Sequence, residues 1–360
     1  MNETLRQFGW NNFYEAYFAE YAAEGIVPAR VLVQHRDRYI LVSEFGELTG
    51  IVSGKFLHEA GGKADFPAVG DWVVVEPRVE EQTATIHTVL ERRTKFSRKV
   101  AGLTTEEQVV AANIDVAFLV LGLDSDFNLR RLERYLTTAW ESGASPVVLL
   151  NKSDVCENVS EKFAEAESIS RGVLVATISA KKNEGLDLFR EQLSGQKTGV
   201  LLGSSGVGKS TIINTLLGYK RQRTESVREE DDRGRHTTTH RELLQLPSGG
   251  LLVDTPGMRE LQLWATDEGL EEAFDDIAEL AERCKFKDCK HQAEPNCAVK
   301  SALESGQLPG ERWQSYLKQQ RELLYLAKRQ NPLFARLQKE KERKIHQQQK
   351  QHYKHNRNKK

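Results

Sequence analysis

The segment Gly203-Ser204-Ser205-Gly206-Val207-Gly208-Lys209-Ser210 fits the pattern G-x-x-x-x-G-K-[ST]. It directly follows the strand-like run from Thr198 to Leu202. A glycine-rich loop in this position binds phosphate through its backbone N–H groups and the N-terminus of the helix that follows. The glycines let the backbone approach the phosphates and adopt positive φ angles. The pattern therefore predicts a P-loop in which Lys209 reaches the β- and γ-phosphates of a nucleotide and Ser210 binds Mg²⁺.

Two further segments predict which base this nucleotide carries. Asn151-Lys152-Ser153-Asp154 fits N-K-x-D, whose aspartate carboxylate can accept hydrogen bonds from the N1–H and N2–H₂ groups of guanine. Adenine offers no such pair of donors. Lys152 would lay its aliphatic stem along the base, and Ser179-Ala180-Lys181 resembles the S-A-K segment that supports the base through backbone contacts. Each pattern is weak alone, but their combination in one α/β segment favours a guanine-nucleotide site.

A third pattern, D-x-x-G, occurs at Asp254-Thr255-Pro256-Gly257, directly after the apolar run 251–253. We expect Asp254 to hold Mg²⁺ through water and the Gly257 N–H to meet the γ-phosphate. Ras-type enzymes place a glutamine just after this pattern to orient the attacking water. This chain has Met258, whose side chain cannot do so, and the water must therefore be positioned by another group.

The segment from Gly234 to Thr239 lies where the first switch of a GTPase belongs. One of its threonines, Thr238 or Thr239, would complete the magnesium shell when the γ-phosphate is present. His236 is the best local candidate for positioning the water, because an imidazole can accept a proton near neutral pH. A surface histidine without a catalytic role is the alternative. His236 and Lys209 are thus the predicted catalytic residues.

These elements occur in an unusual order. In an ordinary GTPase the N-K-x-D element follows the P-loop, whereas here it comes first, which predicts a circularly permuted GTPase domain. Four of the sites follow strand-like runs, at the carboxyl ends where open α/β sheets bind ligands. The predicted GTP-binding residues are Asn151, Lys152, Ser153, Asp154, Ser179, Ala180, Lys181, Gly203, Ser204, Ser205, Gly206, Val207, Gly208, Lys209, Ser210, Thr211, Asp254 and Gly257. The predicted magnesium ligands are Ser210, Thr238 (or Thr239) and Asp254.

A metal site is predicted by three cysteines and a histidine that lie within fourteen residues, spaced C-x₄-C-x-H-x₅-C. Three thiolates and one imidazole form a Cys₃His set suited to tetrahedral Zn²⁺. All four positions are protein ligands, so the zinc would be structural rather than catalytic. Unrelated buried thiols are the alternative. The predicted zinc ligands are Cys284, Cys289, His291 and Cys297.

The chain divides into five predicted parts. Residues 1–27 carry aromatic side chains at helical spacing and predict a helical segment that docks on the protein. Residues 28–104 hold short β-branched runs punctuated by glycine, which predict a small closed β-barrel, although periodicity does not decide which kind. The GTPase domain is assigned to 105–265, a mainly helical zinc domain to 266–335 and a basic tail to 336–360.

The net charge of −1 hides an asymmetry. Residues 331–360 hold ten Lys or Arg and two Glu, a net charge of +8, which leaves −9 on the remainder. Such a tail favours a polyanionic partner, most simply RNA, although a solvated tail that aids solubility is the alternative. A second basic cluster at 92–99 could contact phosphate or belong to a solvated loop.

No apolar run approaches the roughly 18 residues that a membrane helix needs. The N-terminus also lacks the continuous apolar core of a signal peptide. We therefore expect a cytoplasmic protein that acts as a monomer without a membrane partner.

The order and spacing of these motifs closely resemble those of the ribosome small subunit-dependent GTPase A family (RsgA/YjeQ), over about residues 28–335. The residues that carry the resemblance are Asn151 to Asp154, Gly203 to Thr211, Gly234 to Thr239, Asp254 to Gly257, and Cys284, Cys289, His291 and Cys297. The resemblance implies an N-terminal OB-fold, a permuted GTPase domain and a C-terminal zinc domain. It also implies a late factor in small-subunit maturation that binds rRNA near the decoding region, is stimulated by that subunit and is released upon GTP hydrolysis.

The resemblance further implies that His236 is the switch histidine. Two other functional classes compete with this interpretation. A P-loop ATPase or small-molecule kinase would not need the guanine-selecting Asn151 and Asp154. A nucleotide-switched RNA-binding protein with a different RNA partner would share every motif, and only its partner would distinguish it.

Overall fold

The computed structural model of the protein describes residues 2–99, 106–219, 241–254, 268–292 and 294–330. The predicted switch residues His236 and Thr238, the segment of Gly257 and the tail 336–360 lie outside these ranges. In the described part, no helix is both long and apolar enough to cross a membrane.

Strands occur throughout the first 254 residues. They are β1 (Val27–Gln34), β2 (Tyr39–Ser43), β3 (Gly46–Val52), β4 (Trp72–Arg78), β5 (Thr83–Val89), β6 (Lys95–Lys99), β7 (Glu107–Ala112), β8 (Val116–Gly122), β9 (Ser145–Asn151), β10 (Leu174–Thr177), β11 (Thr198–Leu202), β12 (Arg241–Gln245) and β13 (Leu251–Asp254).

Helices flank these strands and form the described C-terminal region. They are α1 (Glu3–Gln7), α2 (Asn12–Phe18), α3 (Gly54–Glu59), α4 (Leu129–Ser142), α5 (Val159–Ser168), α6 (Asp187–Gln192), α7 (Lys209–Leu217), α8 (Glu268–Ala273), α9 (Asp275–Glu282), α10 (Ala298–Glu304) and α11 (Gly310–Gln330).

The first five strands close into a barrel in the order β1-β2-β3-β5-β4, with β4 pairing back onto β1. β3 and β5 are parallel, whereas the other neighbours are antiparallel. A closed five-stranded barrel is the architecture of the OB-fold, and the predicted barrel is confirmed. Its interior consists of Ala29, Val31, Tyr39, Leu41, Leu48, Val73, Val75, Ala84 and Ile86.

Six strands form the α/β sheet in the order β10-β9-β8-β11-β13-β12. All neighbours in it are parallel except β12 and β13. The end of β1 pairs with β12, where Val33 faces Glu242 and Gln34 faces Arg241. The barrel and the α/β sheet are therefore one continuous sheet of eleven strands.

Strand β8 shows how the α/β sheet is covered on both faces. Side chains alternate across a strand, so successive residues enter different cores. Ala117, Leu119 and Leu121 join a core that includes Leu132 and Leu136 of α4. Their neighbours Val116, Phe118 and Val120 join the opposite core, against α6 and α7. An uninterrupted apolar run is the pattern expected of a strand buried on both faces.

β6 and β7 form a separate antiparallel hairpin that the sequence patterns did not predict. The predicted boundary between residues 104 and 105 lies outside the described residues, between β6 and β7 in the sequence. The sequence placed Arg92 in a basic cluster that would contact phosphate or lie in a solvated loop. In the structure its side chain is mostly buried and paired within the protein. Its guanidinium Nε and Nη2 donate to the two carboxylate oxygens of buried Asp71, at 2.9 and 2.7 Å.

Buried Arg30 joins three parts of the chain at one point. It lies on barrel strand β1, and its guanidinium sits 5.5 Å from the ring centroid of Trp72, against which Trp10 and Tyr14 also pack. Burial lowers the pKa of Arg30. Its donors reach the N-terminal helices, the barrel and the α/β sheet. The acceptors are Phe8 O, Gly70 O at 3.2 Å, Asn113 O at 3.4 Å and Thr198 Oγ1 at 2.9 Å.

The C-terminal helices have no separate core in the described part. Phe274, Ile277, Val299 and Trp313 lie in the same apolar core as the inner face of α4. Gly269 of α8 permits the close approach, because a Cβ there would lie 2.7 Å from the backbone nitrogen of Glu141. The C-terminal region that carries the predicted zinc ligands is thus packed on the α/β sheet through α4.

Replacing Arg30 with alanine tests whether this buried arginine stabilises the junction. Arg30→Ala removes the donor that Arg30 supplies to the carbonyls of Phe8 and Asn113, whereas Gly70 O keeps its hydrogen bond from Asn113 Nδ2. We expect a loss of about 2–4 kcal/mol in the free energy of unfolding. Urea unfolding followed by tryptophan fluorescence measures it. Exposed Arg36 is the matched control, and its alanine variant should change stability by less than about 0.5 kcal/mol. Equal midpoints for both variants would contradict this role.

Candidate functional site

The predicted nucleotide-binding motifs meet at one edge of the α/β sheet. β9 ends at Asn151, β13 ends at Asp254, and the P-loop follows β11. These strands run parallel, so their carboxyl ends lie side by side, and the loop after β10 brings Ser179 to the same edge. Motifs separated by up to about a hundred residues are thereby brought together.

The P-loop is closed by its own lysine. Lys209 Nζ donates to the carbonyl oxygens of Gly203 and Ser204, at 2.7 and 2.6 Å. Gly208 has a φ of 103°, and a Cβ there would lie 2.3 Å from Nδ2 of Asn151. Glycine at this position therefore serves both the positive φ and the close approach of a neighbouring loop.

Asn151 connects the loops around the site. Its Nδ2 donates to the carbonyl oxygen of Val207 at 2.7 Å, and its Oδ1 accepts from the backbone N–H of Ala180 at 3.0 Å. The side chain is 2% exposed, so both ends of the amide are used inside the protein. Asn151 fixes the P-loop relative to the S-A-K segment.

The other residues of the N-K-x-D element are also held in place. Ser179 Oγ donates to Asp154 Oδ1 at 2.8 Å, which orients the half-buried carboxylate. Lys152 has a φ of 68°, and its Nζ donates to Asp124 Oδ2 at 2.5 Å. Burial raises the pKa of Asp124, but hydrogen bonds from Lys152 and from the backbone of Asp126 bring it below its ordinary value, so the carboxylate stays charged.

Sequence reasoning missed three residues at this edge. Asp124 and Asp126 follow the carboxyl end of β8, and Arg131 lies in the first turn of α4. Asp126 and Arg131 both contact Ser204 of the P-loop. The signal was available, because the strand-end rule applied to the other strands also applies to β8.

The predicted zinc ligands are brought together, and this part of the prediction is confirmed. One ligand atom from each of the four residues lies within 4.8 Å of the others. The His291 Nδ1 to Sγ distances are 3.6 Å for Cys284 and 3.4 Å for Cys297, and the two sulfurs are 3.9 Å apart. A tetrahedral zinc with Zn–S bonds of about 2.3 Å needs S···S and S···N edges of about 3.8 and 3.5 Å. The donor set fits zinc in both geometry and chemistry.

The surroundings of Cys284 and His291 also suit metal binding, whereas burial and the neighbouring thiols raise the pKa of Cys289 to about 11. Burial raises the pKa of the Cys284 thiol, but hydrogen bonds from the backbone N–H groups of Val299 and Ala298 bring it below its ordinary value. Partial burial lowers the pKa of His291, which favours the neutral imidazole that a metal requires. The ring packs edge-on against Trp313, with centroids 5.8 Å apart. Since four protein ligands fill a tetrahedral shell, zinc here would be structural.

Comparison with known proteins finds similar proteins over almost the whole chain. A family model described as RsgA GTPase matches residues 89–264. The small ribosomal subunit biogenesis GTPase RsgA of Opitutus terrae is 48% identical over 353 residues, which is 96% of each chain. The small ribosomal subunit biogenesis GTPase RsgA 1 of Oceanobacillus iheyensis is 48% identical over 338 residues, covering 93% of this chain and 96% of the relative.

Two solved structures share the architecture. The crystal structure of YjeQ from Thermotoga maritima superimposes with a TM-score of 0.64 at 28% identity, covering 83% of this chain and 99% of that one. YloQ, described as a circularly permuted GTPase, gives a TM-score of 0.59 at 24% identity, covering 83% and 96%. The second likeness concerns the fold alone.

Zinc content tests the metal site. We expect the purified chain to hold about one zinc ion, and Cys297→Ser to lose it because the fourth ligand is removed. Metal analysis of the dialysed protein measures both. Cys156 is the matched control, since it is the one cysteine outside the cluster, and Cys156→Ser should keep its zinc. Retention of zinc by Cys297→Ser would contradict the assignment.

Proposed function

We propose that this chain, which belongs to the RsgA GTPase family, hydrolyses GTP and couples that hydrolysis to late maturation of the small ribosomal subunit. The observation that carries the proposal is the convergence of the P-loop, the N-K-x-D element and the S-A-K segment at one sheet edge, tied together by Asn151. The names of the relatives support the ribosomal part.

We infer that Asp154 recognises guanine, while Asn151 positions the loops around it. Ser179 orients the Asp154 carboxylate, and two donors of the guanine edge can then meet it. The aliphatic stem of Lys152 would cover the base. Its ammonium is held by Asp124, which fixes the direction of that stem.

The phosphates and Mg²⁺ would be held by residues on neighbouring strand ends. Lys209 opens α7, and Ser210 follows it; both are placed to meet the phosphates and the ion. Asp254 ends β13, the parallel neighbour of the strand before the P-loop. Hydroxyl and carboxylate oxygens are the ligands that Mg²⁺ prefers. Thr238, or Thr239, would complete the shell from the first switch.

Hydrolysis needs a group that positions water, and we assign this role to His236 in the first switch. Met258 stands where other GTPases carry a glutamine, so that side chain cannot serve. Slow intrinsic turnover and a partner that orders the switch are the expected consequences.

The partner we propose is the small ribosomal subunit with its rRNA. The basic tail of net charge +8 supports an RNA partner, because counterion release from phosphates favours such contacts. The structural zinc would maintain the region that packs on α4. Release from the subunit after GTP hydrolysis is part of the same proposal.

Base selectivity tests the role of Asp154. Asp154→Asn replaces one acceptor oxygen with an N–H₂ donor while Oδ1 can still accept from Ser179. We expect affinity for GTP to fall by about 100-fold, as charge-assisted hydrogen bonds are lost. Affinity for xanthosine triphosphate should rise, since xanthine has a carbonyl where guanine has its amino group. Fluorescent-nucleotide titrations measure both, and exposed Asp187→Asn is the control. Unchanged GTP affinity in Asp154→Asn would contradict guanine recognition.

GTP turnover with and without isolated subunits tests the proposed function. We expect small subunits to accelerate turnover by at least about tenfold, equivalent to about 1.4 kcal/mol in the barrier. Large subunits serve as the control and should have little effect. Equal turnover with and without small subunits would contradict the proposal and point to a different RNA partner.

In the same assay, His236→Ala should lose the stimulated rate without losing GTP affinity. A full stimulated rate in this variant would exclude His236 as the group that positions water.

A further inference from the structure

We propose that Asp126 and Arg131 are positioning residues for the P-loop, acting through the side chain of Ser204. The inference rests on the proposed nucleotide site, because it assigns a role to residues that touch the phosphate-binding loop rather than the nucleotide. We refer to Asp126, Arg131 and Ser204 as the α4 clamp, since Arg131 lies in the first turn of α4 and Asp126 in the loop just before it.

The α4 clamp is a closed set of three side chains. Ser204 Oγ donates to Asp126 Oδ2 in a short contact and accepts from Arg131 Nη1 at 2.9 Å. The same Nη1 donates to Asp126 Oδ2 at 2.6 Å and to the Asp126 carbonyl oxygen at 3.3 Å. Every pair of the three residues is therefore in contact.

Asp126 and Arg131 both keep their charges near neutral pH. Burial raises the pKa of Asp126, but hydrogen bonds from Arg131 and Ser204 bring it below its ordinary value. The hydrogen bond with Asp126 raises the pKa of Arg131. Asp126 thus remains a carboxylate that accepts from Ser204, and Arg131 remains a cationic donor.

Ser204 is held at its carbonyl oxygen by Lys209 and at its hydroxyl by the clamp. Only the first of these contacts involves a residue proposed to bind phosphate. The Ser204 carbonyl oxygen accepts from Lys209 Nζ at 2.6 Å, as does that of Gly203. If Lys209 reaches the phosphates, as proposed above, these bonds must be given up. The α4 clamp holds Ser204 by its side-chain hydroxyl and does not involve Lys209, so it can keep Ser204 in place while Lys209 moves.

In the described part of the chain, the outer side of the P-loop faces an open cleft instead of packed side chains. A cleft of about 890 Å³ opens beside Ser204 and Ser205, between α4 and α11. Hydrogen bonds from Asp126 and Arg131 therefore supply the restraint that a packed wall would otherwise give. Without them, the loop has room to move toward the cleft.

The helix that carries the clamp is itself anchored to the C-terminal region. Fully buried Glu133 of α4 accepts from Arg312 of α11 at 3.1 Å, and Arg312 holds the two carboxylate oxygens of Asp276 at 2.7 and 2.6 Å. Arg134 also pairs with Glu322 of α11 at 2.7 Å. The orientation of the clamp is thus set by the packing of the zinc-bearing region on α4.

Nucleotide binding by clamp variants of the full chain tests the proposal. In Arg131→Gln and in Ser204→Ala, we expect affinities for GTP and GDP to fall together by about 5- to 20-fold, because both nucleotides use the same loop. The loss should appear in KM, with kcat changed less than about twofold. Arg131→Lys should retain most of the affinity, since one nitrogen makes all three contacts and an ammonium offers three donors.

Two comparisons separate positioning from general stability. Arg190→Gln removes an exposed helix arginine paired with Asp187 at 3.4 Å, away from the P-loop, and should leave both affinities unchanged. The double variant Arg131→Gln/Ser204→Ala should bind no more weakly than Ser204→Ala alone, because Arg131 acts on the loop through the Ser204 hydroxyl that this variant already lacks. Thermal melting without nucleotide would show that each variant is folded at the assay temperature.

Wild-type affinity in Arg131→Gln, or additive losses in the double variant, would overturn the α4 clamp. This outcome is distinct from failure of the proposed function. If small subunits did not stimulate turnover but the clamp variants bound nucleotide weakly, the clamp would stand and the ribosomal role would fall. The reverse result would leave the ribosomal role intact.

Discussion

Parallel pairing of β8, β9, β11 and β13 is the constraint on which the nucleotide site depends. It places the carboxyl ends of these strands side by side, whatever their order along the chain. The permutation is tolerated for this reason: the loops that carry the nucleotide-binding motifs are defined by neighbouring strand ends and not by sequence order. The Asn151 side chain then fixes the relative position of the P-loop and the S-A-K segment, because it hydrogen-bonds to both.

Buried charges hold the parts of the chain together. Arg30 joins the N-terminal helices, the barrel and the α/β sheet, and Arg312 joins α4 to the C-terminal helices. A buried charge is costly unless its hydrogen-bonding groups are satisfied, so each arginine requires its partners in one arrangement. Helix α4 is central to this assembly, because one end contacts the P-loop and its buried face carries the zinc-bearing region.

The features that local sequence patterns failed to predict share a physical cause. The strands at 116–122, 145–151 and 251–254 were found because apolar runs identify strands that are buried on both faces. The hairpin of β6 and β7 was missed, because β6 is mostly basic and polar and the apolar run of β7 is short and half alanine, a residue that is uncommon in strands. Arg92 was assigned to solvent or phosphate, whereas its partner Asp71 lies 21 residues away and becomes adjacent only in the folded barrel.

The sequence by itself determined the P-loop, the N-K-x-D element, the permuted order and the Cys₃His set. Each motif depends on residue types at fixed spacing within one short segment, and the permuted order is read from the succession of the motifs along the chain. Tertiary structure decided the α4 clamp, the Arg30 junction and the packing of the zinc-bearing region. Their contacts join residues 73, 168 and 179 positions apart, at Arg131 with Ser204, Arg30 with Thr198 and Arg312 with Glu133. Such pairs are brought together by strand order and helix packing, which local spacing does not encode.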